Sequence, residues 1–453
     1  MAHTSSRSGR WLAGAIALST ALAFGLSACG GTGGGTTPGT SPGATGTDAT
    51  GTITLWHFFT DREATVIQTA VDNFEKQYPG ITVNVVSGQD DDKMRQAIAA
   101  NQPIDVGISY SMDQIGVLCS TGAFIDLAPY LQRDNIDINA DVPPIAQSYT
   151  QFNGTRCALP MLADSTGLYY NTDEFATAGI TAPPKTLDEL ADDAVKLTTY
   201  NADGSIDQLG FMPLMEYYET NAQGMAPMVQ AQWFDSNMKS TVGTDPGWQE
   251  LFTWQKDLIN RLGGWQKLND WMAASGDEFS EQNDFETGRV AMEMDGEWRT
   301  AFIADEVPDL HYATAYLPVS ANHANAYGAG LIDGNVVGIP KGSKNPDLAW
   351  LLVKYLTLDT DAQVQMGNGL KNVPTIISAL NSPDLQADDN YKVFLSVFQN
   401  QYSMIAPITT TGTDYQTLMA NFAQDWEQGN QTDLVSSLQS VATQIDAAVA
   451  LGG

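Results

Sequence analysis

From Thr52 onward, segments of strand period and helix period alternate, and this alternation restricts the fold more than any other feature of the chain. "TITLW" is a short β-branched run. "EATVIQTAVDNFEKQYPG" carries apolar residues at helical spacing and stops at Pro79-Gly80, after which "ITVNVV" returns to strand character. "DDKMRQAIAANQ" then reads as a helix and "IDVGISY" as a strand. The β-α-β-α-β order predicts right-handed crossovers and a largely parallel sheet covered by helices, an α/β architecture. In open sheets of this kind ligands bind beyond the carboxyl ends of the strands. His57 to Asp61 and Tyr110 to Asp113 are therefore the first positions at which to seek a site.

A second region opens at "NGTRCALPMLADSTGLYYN", read as a strand, a break at Pro160 and another strand. Thr186, with Glu189 three residues on, predicts a capping box at the start of a helix. Asp203-Gly204 marks a turn leading to a strand, and Gly204 is out of place for a calcium loop of the EF-hand kind. The stretch Met215 to Ser275 is rich in tryptophan, and Trp233, Trp248, Trp254, Trp265 and Trp271 read mainly as core anchors of packed helices. "FETGRVAMEMDGEWRTAFI" predicts a helix end at Gly288, a strand "VAMEM" and a turn at Asp295-Gly296 into a new helix. Trp298 at that junction is placed to face a cleft.

The front of the chain has a different character. Arg7 and Arg10 precede an apolar run from Leu12 to Leu26, the n- and h-regions of a signal peptide and too short for a membrane-spanning helix. Leu26-Ser27-Ala28-Cys29 resembles the lipobox of bacterial lipoproteins, which implies a diacylglyceryl group on Cys29 and a membrane anchor of two acyl chains. On this reading 1–28 is the signal peptide. Residues 29–51, rich in Gly, Thr, Ser and Pro, cannot bury enough apolar surface to offset their ordering entropy and form a tether.

Charge excludes some partners. With 21 Lys and Arg against 53 Asp and Glu, the net charge is -32, which repels nucleic acid and anionic lipid. Beyond Cys29, two cysteines remain in a compartment that tolerates disulfides, Cys119 and Cys157, and either a bridge or two buried thiols fits. Neither has metal-site spacing and the four histidines are scattered, so no metal or cofactor is expected.

Four segments taken in order, "ITLWHFFTD" with "FEKQYPGITVNV", "LPMLADSTGLYYNTDEFATAGITAPPKTLDEL", "FETGRVAMEMDGEW" and "GNVVGIPKGSKNPDLAWLLVKYLT", resemble the extracytoplasmic solute-binding proteins of bacterial ABC importers, of the sugar-binding group that includes maltose/maltodextrin-binding protein. The resemblance implies a periplasmic-binding-protein-like fold of type II, with two discontinuous α/β lobes closing about a hinge. The expected lobes are 52–163 plus 316–358 and 164–315 plus 359–453. It implies a monomer that binds a carbohydrate between the lobes and docks on permease subunits. It also places Cys119 and Cys157 in one lobe, where a disulfide is expected.

By the same resemblance Phe58, Phe59 and Asp61 face ligand after the first strand, Tyr110 and Asp113 after the third, and Asp164 at the first crossing. Tyr217 or Tyr218 supplies an aromatic from the second lobe, and Trp298 matches the stacking tryptophan of a G-x-W element, with Trp233 and Tyr327 as looser assignments. These residue types suit a sugar, whose C–H faces are covered by rings and whose hydroxyls need both donors and acceptors. A surface-anchored glycoside hydrolase is the rival reading, since acidic residues and tryptophans line those clefts too.

Overall fold

The computed structural model describes residues 46–452, so the signal-peptide, lipobox and tether assignments up to residue 45, Cys29 included, lie outside the described residues. The nine strands are β1 (Gly51–Trp56), β2 (Ile81–Val86), β3 (Val106–Ser109), β4 (Ala158–Asn171), β5 (Met292–Gly296), β6 (Tyr312–Ala315), β7 (Leu331–Gly338), β8 (Val373–Pro374) and β9 (Met404–Ile405). Their order is β2-β1-β3-β7-β4-β5, with β6 and β8 also on β4 and β9 on β7.

β1 pairs in parallel with β2 and β3, through the helices Asp61–Gln77 and Asp91–Ala99, as the alternating pattern requires. The sheet is not largely parallel, however. β7 lies antiparallel on β3 and on β4, because it returns from the other lobe and no βαβ crossover dictates its direction.

Two hydrophobic cores define two lobes. The first gathers the helix Asp61–Gln77 through Ile67, Val71 and Phe74, the strands Ile53 to Leu55 and Val106 to Ile108, and the helix Pro346–Leu358 through Trp350 and Leu352. The second gathers Trp248 and Phe252 of the helix Pro246–Arg261 with Tyr415, Met419 and Phe422 of the helix Asp414–Gln428. The helix Leu434–Leu451 is long and apolar enough to cross a membrane, but packs Leu438, Val441 and Ile445 into this second core.

β4 is shared. Its first half pairs with β7 and β8 and its second with β5 and β6, so the chain passes between lobes around Asp164 to Thr166. Pro160 does not break this strand; the register shifts between Pro160 and Leu162, and the irregularity accommodates the missing N–H. No strand follows Asp203-Gly204, where isolated bridges at Tyr200–Ile206 and Leu209–Val290 hold the chain instead, and Gly288 closes a turn rather than a helix.

The last crossing comes later than expected. The helix Thr360–Leu370 sends Ala362, Val364 and Met366 into the first core, and only from Phe394 does the chain contribute to the second. Near Thr409 the approach to the first lobe is close enough to require glycine: a Cβ on Gly116 would sit 1.9 Å from the Thr409 carbonyl oxygen. The capping box is present, with Thr186 accepting from Glu189 N at 3.2 Å. Cys119 and Cys157 form a disulfide within the first lobe, with Cα atoms 5.4 Å apart.

Candidate functional site

A cavity of about 620 Å³ opens between the lobes. The first lobe contributes Phe58 to Glu63, Tyr110, Asn335 and Asn372, the second Phe279, Trp298, Phe302, Asp305 and Glu306, and Asp164 lies where β4 passes between them. The first-lobe wall follows the carboxyl ends of β1 and β3, where parallel strands release their loops. Asp61 opens the helix Asp61–Gln77 at φ 48, a left-handed conformation that Asp tolerates better than most residues. Phe58 and Phe59 lie 3.9 Å apart by ring centroids, and Tyr110 meets Phe58 edge-on at 5.9 Å. Of the adjacent pair Phe59 is buried in the first core and Phe58 is half-buried, yet both reach the cavity.

The opposite wall is set by the turn after β5. A Cβ on Gly296 would lie 2.0 Å from the Trp298 ring, so the indole can fold back over the backbone only because residue 296 is glycine. The indole N–H donates to the Tyr218 hydroxyl at 3.2 Å. Tyr218, at φ 30, holds a conformation uncommon for a bulky residue, and it meets Phe279 edge-on at 5.7 Å. Behind this wall Arg299, fully buried, is clamped by Asp295 at 2.6 Å and Glu286 at 3.0 Å, and its guanidinium lies 5.3 Å from the Phe302 centroid.

The cavity floor carries a carboxyl pair. Asn372 Nδ2 donates both to Asp164 and to Glu297 Oε1, the latter at 3.1 Å, while Glu297 Oε2 accepts from Ser165 N at 2.8 Å. Burial pushes the Asp164 carboxyl up to about 7, and burial with the neighbouring Asp164 charge raises Glu297 well above its usual range. Each lobe also reaches across: Arg62 stacks on Phe302 at 5.0 Å, and Gln416 Nε2 donates to Asp113 at 3.2 Å.

Six of the sequence-derived positions, Phe58, Phe59, Asp61, Tyr110, Asp164 and Trp298, meet on this one cavity. Five do not line it. Asp113 is buried beneath Ser111 and Gln416. Tyr217 is buried, its hydroxyl donating to Glu293 at 3.0 Å, and Tyr218 acts through Trp298. Trp233 packs edge-on against Trp248 and Tyr415 in the second core, and Tyr327 packs against Tyr316 beside Lys185. Sequence reasoning missed Phe279, Phe302, Glu297, Asn335 and Asn372. Phe302 had a local signal, lying one helical turn beyond Trp298, and Glu297 and Asn335 lie inside the segments that carry the family resemblance; Phe279 and Asn372 come from segments with no motif. Among the described residues no group of three or more His, Cys, Asp or Glu could hold a metal ion.

The comparisons agree with this architecture. The chain is 24% identical over 357 residues to the maltotriose-binding protein of Pyrococcus abyssi, covering 78% of this chain and 73% of that one. Among solved structures it matches CpMnBP1 with mannotriose bound at 24% identity and a TM-score of 0.76, covering 87% of this chain and 99% of that one. It also matches the GacH receptor of Streptomyces glaucescens GLA.O, solved unliganded and with acarbose, at 20% identity and a TM-score of 0.69, covering 89% and 99% of the two chains. These structural likenesses establish the fold. A family model for bacterial extracellular solute-binding proteins spans residues 59–363, from the second ring of the cavity's Phe58-Phe59 pair to the last helices of the first lobe. Two lobes sharing one strand, a cavity between them and that match together make this chain a member of the bacterial extracellular solute-binding protein family.

Proposed function

We propose that the protein captures a sugar or oligosaccharide in the interlobe cavity and delivers it to the permease of an ABC importer, held at the outer face of the cell membrane by lipidated Cys29. One observation carries the reading: aromatic rings from both lobes, Phe58, Phe59 and Tyr110 on one side and Phe279, Trp298 and Phe302 on the other, line a cavity whose polar groups are mainly carboxylate and amide. A pyranose presents apolar C–H faces between rims of hydroxyls, and this lining is complementary to both. The binding role falls to Phe58, Phe59, Asp61, Tyr110, Asp164 and Trp298. The relatives' printed ligands, maltotriose, mannotriose and acarbose, support an oligosaccharide.

The hydrolase reading is weaker. Glycoside hydrolysis needs two carboxyl groups about 5 to 9.5 Å apart across the scissile bond. Asp164 and Glu297, the carboxyl pair at the floor, are hydrogen-bonded to each other and to one amide, leaving no room for a glycosidic bond between them. Calorimetric titration with a panel of mono- and oligosaccharides tests the proposal. Saturable binding without product is expected, and turnover of any glycan would sink it. For the anchor, Cys29→Ser is expected to move the protein from the membrane pellet to the soluble fraction, and retention in the pellet would refute that part.

A further inference from the structure

The polar lining of the cavity is unbalanced between donors and acceptors. Five carboxyl groups face it, those of Asp61, Glu63, Asp164, Asp305 and Glu306, against one cation, Arg62. That cation is partly engaged: Nη1 donates to the Gly369 carbonyl at 2.7 Å and the guanidinium lies over Phe302, while Nη2 stands 3.8 Å from Glu63 and has no hydrogen-bond partner among the described residues, the one unmatched donor on this lining against three unmatched acceptors.

The amides tilt the balance further. Asn335 and Asn372 are 3% and 5% exposed, and both have committed their Nδ2 groups within the protein. Asn335 donates to the Tyr110 carbonyl at 3.3 Å, and Asn372 donates to the two floor carboxyl groups. A backbone carbonyl can only accept, so the Tyr110 carbonyl fixes which way the Asn335 amide points. Oδ1 of each amide is left with no donor, as is Oε2 of Glu306. An unmatched buried acceptor costs the desolvation of that group, so the site favours a ligand rich in donors.

A sugar hydroxyl brings one donor with two acceptor lone pairs, whereas an ammonium brings three donors and no acceptor. Building on the glycan reading above, we propose that the ligand is an amine-bearing glycan, its protonated amino group held by the carboxylates of this cavity against the aromatic wall. The wall accepts cations already: Arg62 and Arg299 lie 5.0 and 5.3 Å from the centroid of Phe302. Burial raises the carboxyl of Glu63 even with Arg62 beside it, and that of Asp164 stands at about 7 among Glu63, Glu297 and Asp333, with no cation in contact. An ammonium supplies the missing counter-charge.

Calorimetry on the full chain at about pH 6, where amino sugars are protonated, tests this with matched pairs that differ by an amino group in place of a hydroxyl. Suitable pairs are cellobiose and the β-1,4-linked glucosamine disaccharide, together with maltotriose and mannotriose and their 2-amino counterparts. The amine-bearing members are expected to bind roughly ten- to a hundredfold tighter, the value of a hydrogen bond to a charged group. Asp305→Asn with Glu306→Gln is expected to weaken the amine-bearing members more than their neutral partners and so to shrink that preference. Neutral members binding as tightly as their amine partners, or a preference untouched by the double variant, would overturn the cationic assignment and leave the glycan reading standing. Binding of no member would remove the glycan reading and this inference with it.

Discussion

The two lobes solve the same packing problem by different means. The first is a β/α unit with an aliphatic core, in which a covalent bridge, Cys119–Cys157, ties the segment after β3 to the start of β4. The second has no bridge among the described residues and is built round a buried ion pair, Arg299 between Asp295 and Glu286, with Glu293 and Asp284 beside the Tyr217 hydroxyl. A buried ion pair is a poor source of stability but a strict positioning device, since breaking it strands a charge. Here it lies under the turn that carries Trp298 and the helix that carries Phe302. The second lobe thus mounts its ligand-facing rings over a buried ion pair, whereas the acids buried in the first, Asp91 and Asp113, are held by hydrogen bonds from Ser109 and Gln416.

The sharpest break of this comparison is Arg299→Met. It leaves Asp295 and Glu286 buried without a counter-charge and is expected to cost about 3–5 kcal/mol. Urea unfolding gives the magnitude, and hydrogen exchange should show protection lost in the second lobe and kept in the first. Equal loss in both lobes would mean that they are one cooperative unit.

Next in size is removal of the bridge by the pair Cys119→Ala and Cys157→Ala. With the cysteines 38 positions apart in sequence, the expected loss is about 2–4 kcal/mol, centred on the first lobe, with ligand affinity unchanged. Altered affinity would tie the bridge to the cavity wall.

Trp298→Ala probes the wall itself. By analogy with stacking of planar rings it should lower affinity by about 1–3 kcal/mol, one to two decades. The stability loss should stay below the roughly 3–5 kcal/mol of a core tryptophan truncation, because the indole is only half-buried. Intact binding, or a core-sized loss of stability, would place Trp298 in packing.

The smallest effect is a pH slope. Burial holds Glu286 and Glu427 of the second lobe, and Asp91 of the first, up at about 7. Between the ordinary carboxylate range and that value the folded protein keeps protons that the unfolded chain has released, so stability falls as pH rises through the window. Thermal midpoints measured from about pH 5 to 8 should therefore decline, with a slope on the order of 1 kcal/mol per pH unit for each group. Hydrogen exchange at the two ends of the range should put more of the change in the second lobe, and a flat profile would show these groups to be better solvated than their burial suggests.

The β-α-β-α-β start and the capping box at Thr186 could be read from sequence because periodicity and caps are local: strand and helix there follow from neighbours within a turn or two. The G-x-W turn was legible for the same reason, since Gly296 and Trp298 interact with each other. Local order also located the loops after β1 and β3, and with them four of the six proposed ligand residues that meet on the cavity, Phe58, Phe59, Asp61 and Tyr110; Asp164 lies within β4 and Trp298 after β5. Asp113, Tyr217 and Trp233 have the chemistry of ligand residues, but their orientation depends on Gln416, Glu293 and Tyr415, which lie far along the chain. The same holds for the continuity of β4 through Pro160, the antiparallel return of β7, the late final crossing and the contributions of Phe279, Asn335 and Asn372. Each was decided by tertiary structure, because the energy that fixes it comes from burial and hydrogen bonding between segments far apart in the chain, and no local pattern encodes such a partner.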